Sequence, residues 1–400
     1  MDSVSLKINL LIGFTLLLSV NSVFSQMVSK RGTVVSANDS VPVSYAAITI
    51  KGKPVGTITN LEGNFTLTVD GAPDDTICIA HLNFETELIP WTILKPEGGV
   101  ISLIGKVYTI GEVSVQAESV VDILKNSIKR SVQAIAFPMR LETYYREFVQ
   151  QNKKYTRFSD GLLDYDLLGN VEKVKSKVRV IQSRAKEIKE ETTKGIDWDL
   201  TSILDVGDAL NPFFLSTLKQ IVESSNLYDF HMVSRSNNNN DTQTEISFTP
   251  KPGHEEPLLI GVVLLDSNTK YILSFVYNME QDSLKPGKEM NFIFVKARIL
   301  QYSSIVLFKL EGTNYQPWYT SKQVGVKFWN NKKIDISTSF LSDLLVNKAV
   351  HGPFEPIPGK EAYKKKALYS LGDNYQTTYW KDQNMIRLTT AEEKIIDQLK

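Results

Sequence analysis

The cleanest alternation of apolar and polar positions in the chain runs from Asn64 to Val69, where Phe65, Leu67 and Val69 interleave with Asn64, Thr66 and Thr68. A period of two buries one face of a strand and wets the other. The same grammar recurs in short β-branched runs cut by Gly, Pro, Asn or Asp. These runs are Lys30–Ser36, Tyr45–Ile50, Thr57–Thr59, Thr76–Ala80, Glu85–Ile89, Val100–Ile104 and Glu112–Val115. About eight strands with a turn every 8–12 residues predict a β-sandwich. Between two of them, Asn60 to Gly63 predicts a tight turn with a positive φ at Gly63. The period then changes. Val121, Leu124, Ile128, Val132 and Ile135 fall at three- and four-residue spacing, which predicts an amphipathic helix over Val120–Ala134, stopped before Pro138.

Beyond Pro138 the strand grammar returns. Leu141–Val149 and Lys154–Leu163 flank a hairpin turn at Gln151–Lys154. Further strands are expected at Asp229–Ser234, Thr244–Phe248, Leu258–Leu265, Lys270–Tyr277, Asn291–Leu300, Ser304–Leu310, Tyr319–Trp329 and Lys333–Phe340. Asp266–Thr269 and Ser236–Asp241 are expected to turn two of these hairpins. The charge-rich run Val171–Glu191 suits either an exposed strand pair or a surface helix. Asn211–Val222 reads as a helix with Pro212 in its first turn, and Thr390 with Glu393 as the capping box of a short terminal helix. Gly359–Lys366 reads as a basic loop. The expected organisation is therefore an export segment over 1–25, a sandwich over 26–117, and a larger α+β domain over 118–400 with a curved antiparallel sheet.

The export segment rests on Lys7, the nearly unbroken apolar run Ile8–Val20, and small or apolar residues at Val23 and Ser25 before Gln26. That run is shorter than the roughly 20 residues that span a bilayer. Composition narrows the picture further. Lys plus Arg and Asp plus Glu both number 45, so the net charge is zero. A chain-wide nucleic-acid partner, which needs clustered positive charge, is not expected. Cys78 is the single cysteine, so no internal disulfide forms; its strand-like setting suits a small buried hydrophobe.

Three spaced segments carry a family resemblance. Gly32-x-Val34 is followed by Pro42-x-x-Tyr45-Ala46-x-Ile48, and then by Gly56-Thr57-x-Thr59-Asn60-x-x-Gly63-x-Phe65. Together they resemble the carboxypeptidase regulatory-like domain. The resemblance implies a transthyretin-like β-sandwich, often the first module of exported envelope proteins of Gram-negative bacteria. It does not imply peptidase activity. Where the family has a Leu-Gly-Tyr-like step, this chain has His81-Leu-Asn-Phe84, which changes the turn there. Thr109–Ala117 contains a Glu-Val-x-Val segment like the one that follows this module in TonB-dependent receptors; the remaining chain is too short for a large barrel, so this segment is expected to close the sandwich. Gly261–Ile272 is similar to a hairpin of half-barrel lipoprotein carriers. With Tyr144–Glu147 and Tyr379–Asn384, it also resembles the C-terminal region usual in exported proteins carrying this N-terminal module.

Candidate chemistry is sparse. The histidines are His81, His231, His254 and His351, and none has Glu three residues later, so the His-x-x-Glu pair of a zinc peptidase is missing. No His-Glu-x-x-His, Cys-x-x-Cys, Gly-x-Ser-x-Gly or P-loop occurs. His254 is expected in a solvated turn. Asp160, Asp164 and Asp166 lack the tight Gly turn and closing Glu of a calcium loop, and are expected to be solvated acids on a strand. Lys173, Lys175, Lys177, Arg179 and Arg184 form a basic stripe, read as a wet sheet face, with an anionic glycan or lipid headgroup as the alternative. No catalytic, cofactor-binding or metal residue is expected, and no cofactor. The Gly and Asn positions of the motif are read as turn geometry. The expectation is a non-enzymatic binding or scaffold protein of the cell envelope, in the periplasm or peripherally at the outer-membrane surface, with an envelope protein or an apolar or glycan ligand as partner. Alternatives are a periplasmic carrier of lipid or lipoprotein using a half-barrel cavity, and a peptidase-associated protein.

Overall fold

A computed structural model describes residues 27–400 except 54, 71, 97, 107–108, 112–118, 171–172, 188–202, 237–241, 281–286, 292–294, 312–313, 332–333, 375–379, 381–382 and 399–400. The expected export segment, Glu112–Val115, most of the Ser236–Asp241 turn and Tyr379 lie outside the described residues.

The first strands are β1 (Val28–Ser36), β2 (Ala47–Ile50), β3 (Gly56–Ile58), β4 (Asn64–Val69), β5 (Thr76–His81), β6 (Phe84–Pro90) and β7 (Val100–Leu103). They form a three-stranded sheet, β4-β1-β7, and a four-stranded sheet, β3-β2-β5-β6. The alternation does what its period requires: Val34, Ile48, Phe65, Leu67, Ile77, Ile79 and Leu103 share one core. Tyr45, expected to open a strand, instead has φ +63 and stands just before β2.

The unusual step at His81–Phe84 folds as a two-residue turn, with His81 facing Phe84 after a bulge in β5. Neither Leu82 nor Asn83 takes a positive φ, so no glycine is needed. His81 Nδ1 accepts the Asn83 N–H at 3.2 Å, which requires an unprotonated Nδ1. Burial, aided by Lys106, lowers the His81 pKa to about 4. A base held below its ordinary value of 6.5 favours folding at higher pH, and the benefit is lost as pH falls through 6.5 to 4. Acidification over that window is expected to remove about 2–3 kcal/mol of stability, after discounting for partial exposure. His81→Asn keeps an acceptor without the titration. Its unfolding midpoint, followed by circular dichroism from neutral to acid pH, should fall less steeply than the parent's; identical slopes would refute the assignment.

The next strand, β8 (Thr109–Gly111), does not close the sandwich. It pairs with β12 at the edge of the second sheet. That sheet contains β9 (Met139–Gln151), β10 (Lys154–Asn170), β11 (Lys173–Glu187), β12 (Tyr228–Ser236), β13 (Thr242–Pro250), β14 (Leu259–Asp266), β15 (Ile272–Met279), β16 (Glu289–Asn291), β17 (Lys296–Glu311), β18 (Asn314–Trp329) and β19 (Asp335–His351). Its order is β11-β10-β9-β19-β18-β17-β15-β14-β13-β12-β8, with β16 added beside β17. The ambiguous run after Val171 is thus a strand, β11. The strands expected separately at Asn291–Leu300 and Ser304–Leu310 merge into β17, which has a bulge between Ile299 and Gln301.

The sheet is open. Strands spaced at about 4.8 Å would make it roughly 50 Å wide if flat. Yet one apolar cluster holds Tyr145 of β9, Tyr165 of β10, Ile246 of β13 and Phe275 of β15 together. The sheet therefore bends, and its inner face wraps helix α1 (Val120–Ala134) and helix α2 (Ser216–Glu223). α1 is capped by Ser119, whose Oγ accepts the Asp122 N–H at 3.1 Å. The single helix expected over Asn211–Val222 is broken. A 3-10 turn, Asn211–Phe214, leads to Leu215 at φ +56 before α2 begins. The break lets Phe213, Leu215 and Leu218 enter the same core. No described helix is long and apolar enough to cross a membrane.

Candidate functional site

The acidic and basic residues singled out along the chain meet one another. On the outer face of the sheet Asp160 faces Arg184 on one side and Arg146 on the other, and Arg146 faces Asp343. This makes a row of alternating charge, Arg184–Asp160–Arg146–Asp343, across β11, β10, β9 and β19. A second row runs Arg179–Asp164–Glu142–Lys348, and a third Lys177–Asp166–Arg140. Asp160 and Asp166 are fully buried, which corrects the expectation of solvated acids. The Arg140 fork grips Asp166 at 2.6 and 3.0 Å, and Asp166 also accepts the Ile357 N–H. Asp160 takes the Arg184 fork and the Tyr144 hydroxyl. Arg179 bridges Asp164 and Glu361, and Lys177 donates to the Ile357 carbonyl. Of the basic stripe only Lys173 and Lys175 are exposed.

The terminal helix α3 (Thr390–Gln398) closes the first row. Its capping box lies one residue earlier than expected: Thr389 Oγ1 accepts the Glu392 N–H, and Glu392 Oε2 accepts the Thr389 N–H at 2.8 Å. Glu392 Oε2 also receives Arg146 Nη1 at 3.3 Å, while Asp343 receives Arg146 Nε at 2.7 Å and the Tyr319 hydroxyl at 2.7 Å.

This outer face is where the sandwich docks. Ile58 shares a cluster with Tyr144, Leu162, Trp318, Tyr319, Leu345, Trp380 and Ile386. Tyr45, released from strand geometry by its positive φ, places its ring 5.5 Å from Tyr319. Its hydroxyl pKa rises to about 12 through burial and the nearby Asp343. Gly56 is no turn glycine: an added Cβ would lie 2.7 Å from the Ile48 carbonyl and 2.9 Å from the Trp318 ring. Gly32 likewise gives way to the Phe65 ring beneath it. Gly63, at φ +72, is the turn glycine expected. Asn60 Oδ1 accepts the N–H groups of Glu62 and Asn64 at 2.9 Å, while its Nδ2 donates to the Leu388 carbonyl. Thr57 donates to Met385, and Thr59 ties Val43 to Ala46. Pro42 bridges to Val35. Asn384 completes the seam, its amide pairing with both backbone groups of Thr68 at 2.8 and 3.0 Å. The motif residues thus divide between building the sandwich and fastening it to the sheet.

Two cavities border the seam and the sheet. A groove of about 1050 Å³ is lined by Gln150, Asn278, Ser303 and Ser339 together with the exposed Ile260 and Leu300. A narrower cleft of about 450 Å³ shares those four polar residues and reaches Tyr45, Arg146 and Glu392. On the inner face lies a recess of about 250 Å³, with Lys322, Thr320, Tyr277 and Tyr302 in its walls. His254, expected in a solvated turn, is clamped between the Lys251 carbonyl at 2.7 Å and Glu280 at 2.6 Å. No cluster of three or more metal-ligating side chains occurs among the described residues.

Residues 30–115 match the family model of the CarboxypepD_reg-like domain. The chain carries a carboxypeptidase regulatory-like domain. That match takes in every motif residue from Gly32 to Phe65. No curated protein matches the chain. Among solved structures it is similar to one titled "Lipid-protein interactions in lipovitellin", at 8% identity and a TM-score of 0.25, over 63% of this chain and 29% of that one. So distant a likeness carries no argument about the sheet that holds the regulatory-like domain. Sequence reasoning found Tyr45, Gly56, Thr57 and Asn60 as motif residues but not their docking role. It did not single out Arg146, Trp318 or Lys322. Arg146 lies within Tyr144–Glu147, and Trp380 and Asn384 within Tyr379–Asn384, two stretches linked by resemblance; their meeting at one seam is the signal behind both.

Proposed function

We propose that the chain is a non-enzymatic binding or scaffold protein of the cell envelope, exported through its N-terminal segment. The observation that carries this reading is the seam. The regulatory-like domain and the sheet share a buried core, and both line the narrower cleft into which Arg146 and Glu392 reach, so the cleft and the sheet groove beside it are held in fixed shape. Preorganisation of that kind favours binding, because less freedom is lost when a ligand seats. The groove mixes the apolar edges of Ile260 and Leu300, 36% and 45% exposed, with amide and hydroxyl groups. That chemistry suits a peptide or glycan segment. A carrier of lipid or lipoprotein is favoured less, because the main apolar cluster of the inner face is packed against α1 and α2 and a second one against Leu204 and Ala367.

The test is to incubate the purified chain with peptide and glycan libraries, with and without added zinc, and to analyse captured ligands by mass spectrometry. Ligands are expected to be retained at unchanged mass. The surface variant Ile260→Glu with Leu300→Glu should lower capture at least tenfold with an unaltered unfolding curve. Zinc-dependent products of changed mass would overturn the non-enzymatic reading.

A further inference from the structure

A transverse line of polar residues crosses the largely apolar inner face of the sheet. Reading across the register, Tyr277 faces Ser304, Ser304 faces Lys322, Lys322 faces Ser342, Ser342 faces Glu147, and Glu147 faces Ser159. Most of this line is internally satisfied. Glu147 accepts Ser159 Oγ at 2.6 Å, the Tyr145 hydroxyl at 3.1 Å and the Tyr369 N–H at 2.8 Å. Ser304 donates to the Ser321 carbonyl at 2.7 Å. Lys322 differs. Among the described residues no hydrogen bond or ion pair holds its ammonium, and burial lowers its pKa despite the nearby charges of Asp208 and Asp205. One turn of the pleat away, Thr320 Oγ1 is buried and has no hydrogen-bond partner.

Both residues line the same recess of about 250 Å³. Opposite them stand Tyr277 and Tyr302, whose hydroxyls are 3.3 Å apart, and at the rim Asp205 and Asp208. Each rim carboxylate spends one oxygen locally, Asp205 on the Gly207 N–H at 2.9 Å and Asp208 on the Asn211 amide at 3.0 Å. The second oxygen of each remains an acceptor. A half-buried cation and a buried hydroxyl, both without partners, are costly to leave so. An anion would satisfy both, but the rim carboxylates disfavour a bare or doubly charged one. A carboxylate with donor groups beside it meets both ends of the recess.

We infer that this recess binds a small molecule presenting one carboxylate to Lys322 and Thr320, and hydroxyl or ammonium donors to Asp205 and Asp208. The site is separate from the groove of the proposed function and stands or falls independently of it. Isothermal titration of the full chain with D-glucuronate, L-glutamate, D-glucose and inorganic phosphate tests it. Glucuronate or glutamate should bind saturably, with glucose and phosphate at least tenfold weaker. Lys322→Met should weaken the carboxylate at least tenfold, and Thr320→Val at least threefold. Neither substitution removes a protein hydrogen bond, so both should unfold like the parent; should Lys322→Met fail to fold, Thr320→Val alone decides. Absence of binding by both carboxylates, phosphate binding as tight as theirs, or unchanged affinity in the folded variants would overturn the inference.

Discussion

Arg146→Met is expected to destabilise the folded chain by about 3–5 kcal/mol, read as a lowered midpoint in urea at unchanged slope. The guanidinium is 7% exposed and Asp343 and Glu392 are buried beside it. Burial by itself works to discharge the arginine, but Asp343 and then Glu392 outweigh it and keep its pKa raised. Removing the cation leaves two carboxylates facing each other away from water, held only by neutral donors, the Tyr319 hydroxyl on Asp343 and the Thr389 N–H on Glu392. Methionine replaces the stem's packing, so the loss reports on charge. Arg146→Met with Asp343→Asn should recover part of it, since the surviving Glu392 is then the single unpaired acid. A loss below about 1 kcal/mol would mean that both carboxylates reach solvent, as surface pairs do, and that the seam is not held by this row.

Trp318→Ala should cost a comparable amount, about 3–5 kcal/mol for a buried aromatic ring. It should also loosen the regulatory-like domain from the sheet. The ring fills the space left by Gly56, lies under Lys309 at 5.0 Å and packs in the cluster that contains Ile58. Its Nε1 has no hydrogen-bond partner, so Trp318→Phe should lose much less than alanine does. Limited proteolysis provides the readout. The alanine variant should be cut between the two bodies at a protease dose that spares the parent, and Gly56→Val should be cut in the same place because its side chain meets the Trp318 ring from the other side. Equal resistance of all three would show that the seam does not depend on this contact.

Much of the fold was legible because its signals are local. The period of two from Asn64 to Val69, the Asn60–Gly63 turn and the helical spacing of Val121, Leu124 and Ile128 each depend on residues a few positions apart. The site was less legible for a reason visible in β11. By parity alone, Lys173, Lys175, Lys177 and Arg179 share a face and Arg184 lies on the other. The bulge that skips Ile181, opposite the Leu162–Leu163 step, restores Arg184 to that face, because one extra residue reverses every side chain beyond it. Only then does Arg184 meet Asp160 on the face where Arg179 meets Asp164, and the two stretches expected to be wet pair and bury each other. Cys78, half-buried in β5, keeps the strand setting its neighbours predicted.

By itself, then, the sequence determined the sandwich, the strand-rich second body, α1 and the regulatory-like motif, because alternation and turn chemistry are written in adjacent residues. Tertiary structure alone decided the destination of β8, the docking role of Tyr45 and Gly56, the charge row through Arg146, and the recess around Lys322. Each of these is set by strand register and by partners tens to hundreds of positions away, as when Asn384 pairs with Thr68 or Glu392 with Arg146. No local pattern encodes such a partner; the register of the sheet and the docking at the seam supply it.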